Sequence, residues 1–219
     1  MTVVAIDGPG GSGKSTVARR VAEALGFVYL DTGAMYRAVG VLAREAGLDL
    51  DDEAAVAAVA ATAALRFDDE GRLFGGERDL SAAIRTLAAG EAASRVSALP
   101  AVRRLLVERQ RALAAAGDVV IEGRDIGTNV CPRAELKVYL TASPDVRSRR
   151  RFDELTASGH EVGHDEVSRA VEERDRRDTT RVVNPLRKAD DAVEIDTSEL
   201  TLDEVVAEVE RLARERLAR

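Results

Sequence analysis

The chain predicts an α/β fold on a mainly parallel sheet, and three observations carry that expectation. The run Gly8-Pro9-Gly10-Gly11-Ser12-Gly13-Lys14-Ser15 spells G-x-x-x-x-G-K-S between an apolar strand pattern and a helix. Short apolar runs alternate with longer helical patterns along most of the chain, the rhythm of crossover connections. Those runs are β-branched or aromatic and end in polar residues, as central strands with functional loops at their carboxyl ends do.

Element by element, Thr2–Asp7 reads as the first strand and Ser15–Leu25 as the first helix. Phe27–Leu30 is the next strand, with helices over Ala34–Ala46 and Glu53–Leu65. The stretch Leu65–Leu80 has short alternating runs separated by Asp68-Asp69-Glu70-Gly71 and by Gly75-Gly76, which predicts a small antiparallel hairpin insert. Helix then fits Ala82–Leu99 and Ala101–Ala116, with Pro100 separating the two. Strands follow at Asp118–Glu122, Leu136–Leu140 and Ala192–Ile195. Ser143 and Pro144 read as the cap and first position of a helix. Thr201-Leu202-Asp203-Glu204 is a capping box, behind which Val205, Val209, Leu212 and Leu217 form the apolar stripe of a last helix. Between them, Val146 to about Arg187 is dense in both charge signs and poor in large apolar residues, so it reads as a mobile flap over a nucleotide.

Composition excludes several classes. A length of 219 residues with 45% hydrophobic and 32% charged residues describes a globular chain, not a disordered one. The net charge of −7 argues against a nucleic-acid partner. One cysteine, Cys131, has no internal disulfide partner and no metal-ligand companions, and His160 and His164 read as polar loop residues. No signal peptide and no run of bilayer length is present, so no membrane is expected and the compartment reads as the cytoplasm. Lys14, Lys137 and Lys188 are the only lysines; the remaining positive charge is arginine, whose fork suits phosphate.

The glycine-rich run is built to cradle a nucleoside triphosphate. Gly8, Pro9, Gly10, Gly11, Ser12 and Gly13 bring backbone N–H groups to the phosphates, and the helix N-terminus adds its dipole. Lys14 reaches the β/γ-phosphates, Ser15 is placed for the accompanying Mg²⁺, and Thr16 completes the ATP-binding run. A guanine-nucleotide switch would need N-K-x-D, which is absent; Asp68–Gly71 fits D-x-x-G in spelling but falls in the hairpin turn. Two further polar loops, Asp31-Thr32-Gly33-Ala34-Met35-Tyr36-Arg37 and Gly123-Arg124-Asp125-Ile126-Gly127-Thr128, follow predicted strands and look toward the same crevice.

These motifs, together with Glu173-Arg174-Asp175-Arg176-Arg177-Asp178 leading to Arg181 and with Asn184-Pro185-Leu186, resemble bacterial cytidylate kinase, a nucleoside monophosphate kinase family, over essentially the whole chain. The resemblance implies a P-loop kinase fold: three-layer α/β/α with a five-stranded parallel sheet, a small antiparallel insert and a helical lid. It implies one domain over 1–219, with an acceptor-binding insert at about 34–100 and a lid at about 146–187. It implies transfer of the ATP γ-phosphoryl group to CMP or dCMP with Mg²⁺, small-molecule partners only, and a monomer. By the same resemblance Arg37, Arg124 and Arg181 grip the acceptor phosphate, with Lys14, Arg124 and Arg181 catalytic. Ser94, Arg103 and Asp125 read the cytosine edge, and Arg174 and Asp178 hold the ribose. Thr32, where some relatives carry serine, and Tyr36 line the pocket, and Arg150 is the lid arginine assigned to ATP, with Arg147 and Arg151 beside it.

The chemistry agrees. A nucleoside monophosphate near pH 7 is already ionised, so no general base is required; alignment, charge stabilisation and water exclusion are. Two other readings stay open on the residues alone: a kinase of another small acceptor, and a nonenzymatic nucleotide-binding module. Arg174, Asp178 and Arg181 share one helical face, which an ordinary solvated helix with intrahelical pairs would also show.

Overall fold

In the computed structural model, residues 1–68 and 70–218 are described; Asp69, part of the D-D-E-G turn, and Arg219 lie outside the described residues. The chain forms two compact units, one of Met1–Tyr29 with the chain from Ala114 onward, the other of Leu30–Leu113.

The first unit is built on a five-stranded parallel sheet. Its strands are β1 (Val3–Asp7), β2 (Val28–Asp31), which leads into the second unit, β6 (Val119–Gly123), β7 (Leu136–Thr141) and β8 (Val193–Asp196), in the order β2-β6-β1-β7-β8. β1 pairs in parallel with β6 and β7, setting Asp7 opposite Gly123 and Tyr139. Every residue of β6 is buried, so its run Val-Val-Ile has no polar face to alternate. Helices α1 (Lys14–Leu25) and α8 (Leu202–Leu217) supply Val17, Val21, Val205 and Val209 to a core shared with Val4, Ile6, Val138 and Leu140. The Thr201–Glu204 capping box forms as read. The stripe is corrected at its end: Leu217 is 40% exposed, and Val206 and Ala213 are buried instead, because a 3.6-residue period carries Leu217 off the packed face.

The predicted flap is two packed helices, α6 (Pro144–Ala157) and α7 (His164–Thr180). Ser143 caps α6 by accepting the Val146 N–H, with Pro144 in the first turn. Their apolar seam is small: Leu155, Val167 and Val171, flanked by Phe152 and Val162. Beyond it, Arg147 of α6 pairs with Asp175 of α7, and Ser148 Oγ donates to Ser168 Oγ (3.4 Å). The ring of His164, which opens α7, meets Phe152 edge-on at 5.6 Å.

The second unit holds α2 (Thr32–Glu45), α3 (Glu53–Thr62), α4 (Leu87–Val96), most of α5 (Pro100–Ala114), and an antiparallel sheet of β3 (Leu65–Phe67), β4 (Leu73–Gly75) and β5 (Arg78–Asp79). The insert is therefore three strands, not a hairpin: Gly76, with φ +59°, turns the chain a second time to add β5. Leu65 belongs to β3, and α3 stops at Thr62. The helix expected over Ala82–Leu99 is interrupted: a 3₁₀ turn at Ala83–Arg85 comes first, and Thr86 caps α4 by accepting the Ala89 N–H. Pro100 opens α5, where its missing N–H costs nothing. Helices α2 and α4 approach so closely that a Cβ on Gly40 would lie 2.7 Å from the Ala92 Cβ.

Candidate active site

The phosphate loop leaves β1 at Gly8, whose φ is +151° and whose notional Cβ would lie 2.0 Å from the Leu140 carbonyl oxygen; only glycine passes there. Gly11, at φ +77°, passes against the Arg147 backbone in the same way. The loop is braced from inside. Fully buried Ser12 donates to the Pro9 carbonyl (3.1 Å), and Arg147 Nη1 donates to the Gly10 carbonyl (3.2 Å). Lys14 Nζ is folded under the loop, 2.6 Å from the Pro9 oxygen and 3.3 Å from Ser12 Oγ. Burial, and then the facing Arg124 guanidinium, push its ammonium well below the ordinary lysine range. Ser15 and Thr16 follow on the exposed first turn of α1.

Arginines converge on this loop. A Cβ at Gly10 would meet Arg124 Nη2 and Arg174 Cδ at 3.7 Å each, so both side chains lie against the loop. Arg124 stands at the end of β6 and donates through Nε to Asp178 Oδ2 (3.0 Å). Asp178 on α7 is also approached by Arg174 Nε (3.9 Å) and Arg181 Nη1 (4.0 Å). Burial acts to raise the Asp178 carboxyl, but Arg124, Arg174 and Arg181 outweigh it and hold it below its ordinary value. Arg181 continues the network, donating through Nη2 to Asp125 Oδ1 (3.2 Å) and through Nε to the Asn184 carbonyl (2.7 Å). Asn129 Nδ2 holds the other Asp125 oxygen at 3.0 Å.

The turn bearing Arg124 and Asp125 runs into a π-helical segment, Ile126–Val130, which no sequence signal announced. Its first two N–H groups donate to Asp7, Ile126 to Oδ1 (2.8 Å) and Gly127 to Oδ2 (2.7 Å). Asp7 is 4% exposed. Burial pushes its carboxyl up to about 6 against the opposing pull of those two N–H groups.

The lid arginines divide. Arg147, nearly buried, binds Asp175 at 2.5 Å as well as the Ala142 and Gly10 carbonyls. Arg150 donates to Thr197 Oγ1 and to the Thr197 carbonyl, and Thr197 in turn reaches the Ser12 carbonyl (3.4 Å). Arg151 pairs with Glu154 on its own helix. Asp175, Thr197, Asn129 and Asp7 were not singled out from sequence; Asp175, Thr197 and Asp7 find partners far along the chain, whereas Asn129 bonds Asp125 four residues before it, through the π-helical turn.

The second unit assembles two groups. At the start of α2, Asp31 accepts the Ala34 N–H (2.9 Å) and Arg37 Nη2 (2.6 Å). Burial tends to raise Asp31, but Arg37 and the Ala34 N–H prevail and lower it. Thr32, beside it, is buried. Elsewhere the Arg103 guanidinium lies 5.7 Å from the Tyr36 ring centroid and donates to the Ser97 carbonyl (3.3 Å). Ser97 Oγ donates to the Ser94 carbonyl, and the buried Ser94 Oγ has no hydrogen-bond partner among the described residues. A buried arginine and an unsatisfied hydroxyl are costly in a core and suit a polar ligand. Tyr36 also packs with Met35 and Val39, so it serves the core as well.

Among the described residues no three His, Cys, Asp or Glu side chains could hold a metal ion, and no helix is long and apolar enough to cross a membrane. A single hydroxyl on an exposed first turn matches Mg²⁺ that arrives with triphosphate oxygens and water, not a metal caged by protein.

Comparison with known proteins agrees with this chemistry. A family model described as cytidylate kinase matches residues 4–215. The cytidylate kinase of Carboxydothermus hydrogenoformans is 52% identical over 209 residues, covering 94% of each chain. That of Pelotomaculum thermopropionicum is 50% identical, covering 93% of this chain and 92% of its own. Among solved structures, the shikimate kinase of Acinetobacter baumannii superposes with a TM-score of 0.52 over 100% of this chain and 96% of its own. At 16% identity that match speaks to the fold alone.

Proposed function

Since the chain belongs to the cytidylate kinase family, we infer that it phosphorylates CMP with ATP, giving CDP and ADP. The supporting observation is the convergence of Arg124 and Arg174 on Gly10, tied through Asp178 and Asp125 to Arg181. A phosphate loop alone would serve any triphosphate; a second arginine cluster against it suits a second phosphate.

The roles follow from the chemistry. The loop N–H groups and Lys14 hold the β/γ-phosphates, and the Lys14 ammonium, whose charge burial disfavours, is stabilised against a phosphoryl group gathering negative charge. Ser15 would hold Mg²⁺ together with the triphosphate, and the ion would supply Lewis-acid charge neutralisation there. Arg124, Arg181 and Arg37 clamp the acceptor phosphate and align it for in-line attack, with no general base needed. Asp125 accepts from the cytosine N4 amine, while Arg103 and Ser94 donate to O2 and N3. Arg174 and Asp178 take the ribose. Thr32 and Tyr36 line the acceptor pocket, and Arg150, Arg147 and Arg151 form the lid wall nearest the donor, closing water out. dCMP is accepted alongside CMP, and the enzyme works as a monomer in the cytoplasm.

The test is ADP release across CMP, dCMP, UMP, AMP and shikimate, with and without Mg²⁺. Preference for cytosine nucleotides, abolished by chelation, is the expected result. Equal turnover of UMP and CMP overturns the cytosine assignment, and turnover of shikimate alone overturns the nucleotide reading.

A further inference from the structure

Asp7 is a buried acid that none of the roles above employs. It is the last residue of β1, directly before Gly8, and its ladder partners Gly123 and Tyr139 leave its side chain facing the turn that follows β6. Both carboxylate oxygens are engaged by backbone, at 2.8 Å from the Ile126 N and 2.7 Å from the Gly127 N. Those amides follow immediately on Arg124 and Asp125. Gly127 is seated tightly: a Cβ there would lie 3.0 Å from Lys137 Cδ and 3.4 Å from Asp7 Oδ2. An ion kept this far from water, on two main-chain donors, spends stability on geometry.

We propose that Asp7 is a positioning residue for acceptor recognition: its carboxylate clamps the Ile126 and Gly127 amides and thereby holds Arg124 and Asp125 in register with the phosphate loop that starts one residue later. The inference rests on the acceptor roles given to Arg124 and Asp125. The carboxylate suits the task because an ionised oxygen binds an N–H about twice as strongly as a neutral one, and two parallel bonds fix direction as well as distance. Asparagine at position 7 offers one acceptor oxygen where Asp7 offers two, so the present geometry, with one oxygen on each amide, cannot be kept. The turn then swings about the remaining contact, and a displacement near 1 Å at a clamped phosphate or base edge costs roughly 100-fold. β1 itself stays in place, because its ladder to β6 and β7 does not involve the side chain.

The experiment is Asp7→Asn in the full chain, with steady-state kinetics in CMP, UMP and ATP and amide NMR at Ile126 and Gly127. The expected signature is a rise in KM for CMP of roughly 10-fold or more with a fall in kcat, and a reduced preference for CMP over UMP. KM for ATP should stay within about threefold, and the two amide protons should move upfield as the charged acceptor is lost. A role confined to stability would lower the melting temperature and leave KM and base preference unchanged; that result overturns the proposal, as does an equal rise in KM for ATP. Should Asp7→Asn fail to fold, Gly127→Ala, whose Cβ would press on the Lys137 side chain at 3.0 Å and reach Asp7 Oδ2 at 3.4 Å, disturbs the same turn and is expected to give the same acceptor-side signature. If the parent enzyme does not use CMP, the functional reading fails, while the amide shifts still decide whether Asp7 clamps the turn.

Discussion

Asp178→Asn isolates the arginine cluster at the centre of the site. The carboxylate lies 3.0 Å from Arg124, 3.9 Å from Arg174 and 4.0 Å from Arg181, and it is 4% exposed. The amide preserves volume and one acceptor oxygen but leaves three guanidinium groups facing one another without that counter-charge. Removing one partner of a buried ion pair costs about 3–5 kcal/mol; the retained hydrogen bond places this change near the lower end, about 3 kcal/mol at pH 7. For a chain of this size that is a fall of about 6–12 °C in melting temperature. The pH dependence has a definite sign. A carboxyl held below its ordinary 3.8 contributes stability that is present above that value and lost as pH falls through the lower folded value. The gap between parent and variant, followed by urea unfolding from pH 7 down to pH 3, should therefore narrow once pH falls below about 3.8, because the unfolded parent takes up a proton that folded Asp178 resists. A gap under about 1 kcal/mol at pH 7, or one that widens in acid, refutes the reasoning.

Other perturbations give sharp expectations. Lys14→Ala should lower kcat roughly 100-fold or more while leaving the melting temperature near that of the parent, because Nζ donates to Pro9 and Ser12 within its own loop; turnover within a few-fold of the parent would contradict the phosphate-loop role. Asp7 acts oppositely to Asp178 in pH: raised from 3.8 to about 6, it makes the fold less stable as pH climbs through that window, by about 3 kcal/mol in all. Comparing unfolding of the parent and Asp7→Asn from pH 4 to pH 7 reads that slope directly, and parallel curves would count against it. Gly40→Val should destabilise by about 1–3 kcal/mol, since even a Cβ falls 2.7 Å from the Ala92 methyl; unchanged stability in thermal unfolding would contradict the α2–α4 packing.

What the sequence determined by itself was whatever depends on near neighbours. The phosphate loop, the Ser143 cap with Pro144, the Thr201–Glu204 box and the apolar strands were legible because each is a pattern of backbone preference and burial within a few residues. The loops that carry the candidate residues were legible through motif order. The second turn at Gly76, the split at Thr86 and the π-helical segment at Ile126–Val130 were not, since each depends on what the segment packs against rather than on its own spelling. Pairing was the tertiary structure's to decide. Asp7 finds Ile126 across 119 residues, Arg150 finds Thr197 across 47, and Arg181 finds Asp125 across 56. In a chain with this many arginines and acids, composition permits many pairings of similar Coulomb energy in water. Only burial in a particular fold, where an unpaired charge is costly, selects which of them form.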